Sequence, residues 1–393
     1  MERALNPPAP GAVTITLLAY VPAVLCMMTV GVIVPFLDVL AQQMQATRAE
    51  LGLGIALFSM PAAIVATVGG GLIDKYGVRR AMLCAMGISA AGSVLIAAAR
   101  SLAAFDGAML LSGVGFGTMC ISAPCLIMLA LSDGTRIRAM SFAATYAPTG
   151  YAAGLLLAVM FTASGDWRAA LLVHAGLSFA MLIALVLLLP QPVVDSVSSR
   201  EPLRTSLTRM LSLCREPKAW RLGVAVALPN AVSYGTSLAS PSYLAQVHHM
   251  SIAGSASGVA IAKLTAMILG GISMGHLLVR VSRPGLLFGC MAALGIGAQV
   301  VLFSPASPFA LAAAALVVWL FAFGGMSGGA MSLLPVVARD PARSGAASGL
   351  VNQCISLASF AAPSTWLALH TGSSLILLAA GCLLVAVLSL PTK

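Results

Sequence analysis

What this 393-residue sequence lacks first is charge. Asp, Glu, Lys and Arg supply only 8% of its residues, against about 25% in an ordinary soluble domain. A water-soluble fold of this size could not cover its surface with so few. A cytosolic enzyme, a nucleic-acid-binding module and a disordered chain are therefore excluded. Acidic residues are scarcer still, 11 against 21 basic. The resulting net charge of +10 is spread thinly along the chain and forms no basic patch, so no nucleic-acid partner is expected. Phosphate-binding glycine loops, H-E-x-x-H and paired intramembrane aspartates are missing, which excludes an ATP-driven pump and a metalloprotease. The eight cysteines show no CxxC spacing. Neither a metal site, a disulfide nor a cofactor is expected.

What the sequence has instead is apolar length. Hydrophobic residues make up 60% and mean hydropathy is +1.00. A spanning helix needs about 20 apolar residues, and breaks at polar or Gly/Pro-containing stretches divide the chain into twelve such segments. They fall at about 14–38, 51–73, 81–99, 104–131, 138–163 and 168–190, then 220–245, 253–279, 284–304, 308–337, 345–368 and 373–390. The run from Thr14 to Leu37 is too long for the core of a cleaved signal peptide, so it reads as the first span. The expected fold is an all-α membrane protein of twelve transmembrane helices in two pseudo-symmetric six-helix bundles. The bundles would cover 1–190 and 220–393, joined by a polar central loop at 191–219. Little chain is left for a soluble domain.

Basic residues set the sidedness. Counted from a cytoplasmic N-terminus, 17 Lys and Arg fall on the cytoplasmic side, and Arg48, Arg100 and Arg168 fall opposite. Such asymmetry is the positive-inside signal. It predicts an inner-membrane protein with both termini cytoplasmic. The remaining basic residue, Lys263, lies inside a span.

The halves also echo one another. Asp133-Gly-Thr-Arg136 follows span 4 and Asp340-Pro-Ala-Arg343 follows span 10, 207 residues apart. Gly70-Gly71 and Gly270-Gly271 close spans 2 and 8 at an offset of 200. Matching positions in two halves suggest duplication into parallel repeats, one known plan for transporters.

The stretch Gly71-Leu-Ile-Asp74-Lys75-Tyr-Gly77-Val-Arg79-Arg80 resembles the loop between spans 2 and 3 that marks the major facilitator superfamily. Asp166-Trp167-Arg168 before span 6 is also similar to that family. The resemblance implies a secondary transporter that moves a small solute by alternating access, embedded as a monomer in the lipid bilayer. It also implies that Asp74, Lys75, Gly77, Arg79 and Arg80 form a cytoplasmic gate. The bare alternative is that Lys75, Arg79 and Arg80 merely set topology, but topology alone needs neither the glycines nor the aspartate. Two departures stand out. The second-half copy has Gly275 and His276 where the acidic position should fall. In span 4, Gly113-Val-Gly115 is present, but Met109 stands where many members carry an arginine used in proton coupling. Ala147-Pro148-Thr149-Gly150 in span 5 loosely resembles a signature of drug-exporting antiporters, although Gly150 and Gly154 also fit ordinary close helix packing.

Ionisable groups at membrane depth are functional candidates because their burial in lipid is costly. Lys263 is the one charged residue near mid-span, and it can bind an anionic group or satisfy backbone carbonyls or Asn352. Asn230 and Tyr234 share a face of span 7. Asn352 and Gln353 lie at similar depth in span 11. Tyr146 and Tyr151 in span 5 can line the same cavity, as can Tyr20, Met27, Met28 and Thr29 in span 1 and Met119 and Ser122 in span 4. Asp38 and Asp106, near the outer span ends, can carry a transported proton or be hydrated helix-end residues. His174 reads as a core histidine. Gly325-Met-Ser327-Gly328-Gly329 has the spacing of a nucleophilic serine motif, but no base is near it in the sequence, so no enzyme is expected. Two solute readings stay open. One is export of a metabolite, drug or siderophore, with a proton as a candidate coupling ion. The other is uptake of a small organic anion at Lys263.

Overall fold

The computed structural model describes residues 11–131, 145–189, 216–280, 284–331, 344–369 and 371–390, with isolated positions between 132 and 144. Within its helices, the side chains of residues 66–76, 275–276, 344–349 and 352, among others, lie outside the described set. Twelve helices account for the twelve apolar segments. In the first half they are α1 (Ala12–Ile33), α2 (Arg48–Tyr76), α3 (Val78–Ala98), α4 (Leu102–Ala130), α5 (Tyr146–Thr162) and α6 (Trp167–Leu188). In the second they are α7 (Pro217–Val247), α8 (Ile252–Arg280), α9 (Pro284–Leu302), α10 (Phe309–Met331), α11 (Ser344–Ala368) and α12 (Gly372–Leu388). Nine of these rods, among the described residues, are long and apolar enough to cross a membrane. The outer faces of the helices, long and short, carry bare aliphatic side chains such as Met160, Leu187 and Leu377, each about three-quarters exposed. In water that surface would be untenable, whereas in lipid it is the favourable one.

Span 1 runs further than its apolar stretch suggests. Pro35 enters a 3-10 turn at Val34–Phe36, and the rod continues as a short helix, Leu37–Met44. That extension brings Asp38 into an ion pair with Arg48 at the start of α2. Between α2 and α3 the chain turns within one residue. Gly77 adopts φ 84°, a conformation that side-chain-bearing residues rarely adopt.

Helix pairing shows the internal two-fold directly. In the first half α1 packs on α4, α5 and α6, while α2 packs on α4, and α3 on α4 and α6. In the second half α7 packs on α10, α11 and α12, while α8 packs on α10, and α9 on α10 and α12. These are the same six pairs, shifted by six helices. The halves meet along two seams, α2 on α11 and α5 on α8, which the same shift interchanges.

Small residues make the close pairs possible. A Cβ on Gly117 would lie 2.6 Å from the Ala62 Cα, so α4 and α2 touch backbone to backbone. Gly324, 207 residues later, plays the same part for α10 against Met267 of α8. Gly31 and Gly154 bring α1 and α5 equally close, as a Cβ on Gly154 would sit 2.8 Å from the Gly31 Cα. Without a hydrophobic drive between helices in lipid, such approach is what packs them.

Candidate functional site

A cavity of about 500 Å³ lies between the halves, within the usual range for small-molecule sites. It is lined from α1, α2, α4 and α5 on one side and from α7, α8, α10 and α11 on the other. The first wall is mainly apolar and aromatic, with Ser59, Cys120 and the Tyr146 hydroxyl as its polar groups. It includes Met27, Phe58, Ala62, Phe116 and Ile121, with the Phe58 and Phe116 rings stacked at 4.8 Å. The second wall carries the charge and most of the polar groups, Asn230, Ser233, Tyr234, Lys263, Ser327, Ser356 and Ser359, beside Met267, Phe323 and Ile355.

Five of the cavity candidates named above come together here: Lys263, Asn230, Tyr234, Tyr146 and Met27. Lys263 is the twelfth residue of the 29-residue α8, about 18 Å along its axis at 1.5 Å per residue. It is 7% exposed. Its Nζ donates to Ser237 Oγ of α7 at 2.7 Å and lies 4.1 Å from the centre of the Tyr151 ring of α5. Tyr151 in turn donates its hydroxyl to the Ser237 carbonyl oxygen at 2.6 Å. One ammonium thus joins three helices across the α5–α8 seam, and a cation over an aromatic face is favourable. Tyr151, expected to line the cavity, instead lies fully buried beside its one cation.

Asn230 lines the cavity and donates to the Val226 carbonyl one turn back at 2.8 Å. The Tyr234 hydroxyl is buried without a hydrogen-bond partner among the described residues, with Ser59 of α2 beside it. Such a group is costly in the empty protein and offers a donor to a guest. Tyr146 contacts Cys120 of α4, hydroxyl to Sγ, at 3.1 Å.

The other expected residues lie elsewhere. Gln353 donates to the Ala63 carbonyl at 2.7 Å, pinning α11 to α2. The backbone of Asn352 is in α11, but its side chain lies outside the described residues. Of the loop motif, Asp74 and Lys75 have side chains outside the described residues, as do Asp133, Arg136, Asp340 and Arg343. Gly77 makes the turn. Arg79 donates to the Val186 and Leu189 carbonyls at 2.9 and 3.1 Å, where α6 ends and its carbonyls lack helical partners. Arg80 is exposed. Neither Asp38 nor Asp106 is among the cavity's lining residues.

His174 is held between Ser93 Oγ at 2.9 Å and the Leu25 carbonyl at 2.8 Å, while Ser327 lines the cavity. The Asp166-Trp167-Arg168 run is structural. Asp166 caps α6 through the Ala169 amide, and Trp167 and Arg168 both donate to Gln43 Oε1.

Sequence reasoning overlooked Ser233, Ser356 and Ser359, together with Phe58 and Phe116. The serines had a visible signal. Asn230, Ser233, Tyr234 and Ser237 follow i, i+3, i+4, i+7, a polar stripe along one face of α7, and Ser356 and Ser359 repeat the i, i+3 spacing. The phenylalanines had none, because apolar residues in a span face lipid, a neighbour or a cavity with the same composition.

The family model of the Major Facilitator Superfamily matches residues 20–363. No curated protein matches the chain in sequence. Among solved structures, a bacterial homologue of the human lysosomal transporter Spinster, inward-facing and occupied, superposes with a TM-score of 0.72. It is 16% identical, and the match covers 98% of this chain and 94% of that one. The nucleoside transporter NupG superposes with a TM-score of 0.74 at 14% identity, covering 96% of this chain and 98% of that one.

Proposed function

Because this chain belongs to the Major Facilitator Superfamily, we propose that it is a secondary carrier for one amphiphilic organic solute bearing an anionic or carbonyl-rich group. The division of the cavity carries this reading. An apolar body fits between Phe58, Phe116 and Ile121, and a polar head faces Lys263, Asn230, Tyr234 and the serines. Asn352 joins that wall in our reading. The six-helix units 1–190 and 220–393 rock about this site, joined by the 191–219 loop. The chain sits in the inner membrane with both termini cytoplasmic, as the distribution of its basic residues supports. Asp74, Lys75, Gly77, Arg79 and Arg80 gate the cytoplasmic face.

We take the direction to be export of a metabolite, drug or siderophore. Pro148 lines the cavity and Gly150 packs α5 closely on α1, which suits the exporter-like reading of span 5. The second reading, uptake of a small organic anion, draws on Lys263 alone. A nucleoside, the cargo of one structural neighbour by its name, carries no charge for Lys263 to meet.

Mass spectrometry on cells with and without the gene tests the direction. A compound retained inside the deletion strain and missing from its medium identifies an exporter and its cargo. A compound left unconsumed in the medium reverses the direction.

A further inference from the structure

The lining of the cavity carries one charge, and among the described residues no acidic side chain is placed to neutralise it. The acidic residues whose side chains are described, Asp38, Glu50, Asp106, Asp166 and Glu216, each lie within five residues of a helix end. None is near the depth of Lys263. Asp38 is committed to Arg48, and Asp106 is the fifth residue of α4, beside Gly54 at the start of α2. The groups facing the Lys263 ammonium are a serine hydroxyl and the face of a tyrosine ring, with Tyr234 next along the lining. These partners soften the charge without cancelling it.

Electrostatics then selects the guest. A monoanion brings the cavity to zero net charge. A dianion leaves it at minus one, and a neutral guest leaves it at plus one. In a low-dielectric site an uncompensated charge of either sign is penalised. Proton antiport, by contrast, needs a group in the cavity that binds and releases a proton as access alternates. No carboxylate or imidazole is among the described lining residues, Lys263 holds its proton against Ser237 Oγ and the face of the Tyr151 ring, and His174 is sealed in the first half by Ser93 and Leu25.

We infer that the cargo is an organic monoanion and that the membrane potential, acting on the cargo's own charge, drives it outward without a co-transported proton. An inside-negative potential of 100 mV is worth about 2.3 kcal/mol per charge, a concentration ratio of ~50-fold. Export of such an anion therefore needs no second ion. This inference rests on the central-cavity reading given above.

The test uses the purified full chain and three naphthalene probes of one shape: 2-naphthoate, neutral 2-naphthamide and 2,6-naphthalenedicarboxylate. Binding is read as thermal stabilisation of the detergent-solubilised protein. Efflux of 2-naphthoate is then followed from proteoliposomes, with valinomycin and a potassium gradient setting the potential and protein-free vesicles as the blank. We expect 2-naphthoate to stabilise the protein at concentrations at least tenfold lower than either relative. Inside-negative potential should speed its efflux several-fold, and a proton gradient at clamped zero potential should leave it unchanged. Lys263→Met should lose the preference and Lys263→Arg should keep it. Equal binding of the amide or the dianion overturns the monoanion assignment. Efflux driven by the proton gradient at zero potential overturns the drive. If none of the three probes stabilises the wild-type protein, the central-cavity reading falls, and this inference falls with it.

Discussion

The first half of the chain meets the cavity with Met27, Phe58, Phe116 and Ile121, and the second half meets it with Asn230, Ser233, Tyr234 and Lys263. The backbones behind these two walls repeat the same six helix pairings. The two halves therefore share one scaffold while their inward side chains differ. The contrast teaches where each kind of constraint acts. Pairs such as α2–α4 and α8–α10 are held by small residues, with Gly117 and Gly324 at equivalent places, because a side chain there would force the helices apart. Nothing comparable binds the residues that face empty space, so one wall is free to become apolar and the other polar. An apolar wall contributes affinity roughly in proportion to area. A polar wall contributes selection, because an unmatched buried group penalises the wrong guest.

Lys263→Met should break the contrast most severely, since it removes the one charge and leaves both walls neutral. A hydrogen bond to a charged group is worth about 1.5–3 kcal/mol, so transport at low solute concentration should fall ~10- to 100-fold in a cell-based or vesicle assay. Unchanged transport by an inserted, folded variant would remove Lys263 from the site.

Phe116→Ala tests the other wall. It deletes the ring that stacks on Phe58 and should weaken binding of the solute's apolar part by about 1–2 kcal/mol, or ~5- to 30-fold in KM. Loss of maximal rate with KM unchanged would mean that the ring is structural.

Tyr234→Phe should have the smallest effect on transport and an opposite effect on stability. Its hydroxyl is buried without a partner among the described residues, so deleting it should leave the empty protein as stable or up to about 1 kcal/mol more stable. Solute affinity should drop a few-fold. A clear fall in Tm would show that the hydroxyl is already satisfied in the empty carrier.

The helices were legible because an apolar run of spanning length has few alternatives, and basic loops marked the turns between them. Their ends were less so. Span 1 reads as closing at Asp38, yet the rod continues to Met44, since Pro35 is accommodated by a 3-10 turn instead of ending the helix. Lys263, Asn230 and Tyr234 were visible as polar exceptions in apolar segments. Gln353 was equally visible and equally plausible, but it turns to the Ala63 carbonyl. Arg79, read through its motif as a gate residue, also caps α6, which the motif does not reveal. Those differences depend on how each helix is rotated about its axis. That rotation is fixed by contacts between segments far apart in the chain, and a pattern within one segment does not encode it. The Tyr151 ring under Lys263 is the clearest case, since 112 positions separate them.

Trp366 lies 3% exposed at the end of α11, with its ring against Gly235 of α7. It borders a second hollow of about 360 Å³, shared with Arg48 and Gln246. Its indole N–H has no partner among the described residues. An indole in such surroundings is a native optical probe. Water entering that hollow would meet an unbonded donor on a chromophore whose emission follows local polarity. With Trp167, Trp220 and Trp319 replaced, movement of this face of the carrier can thus be read as a shift in emission, with no label attached.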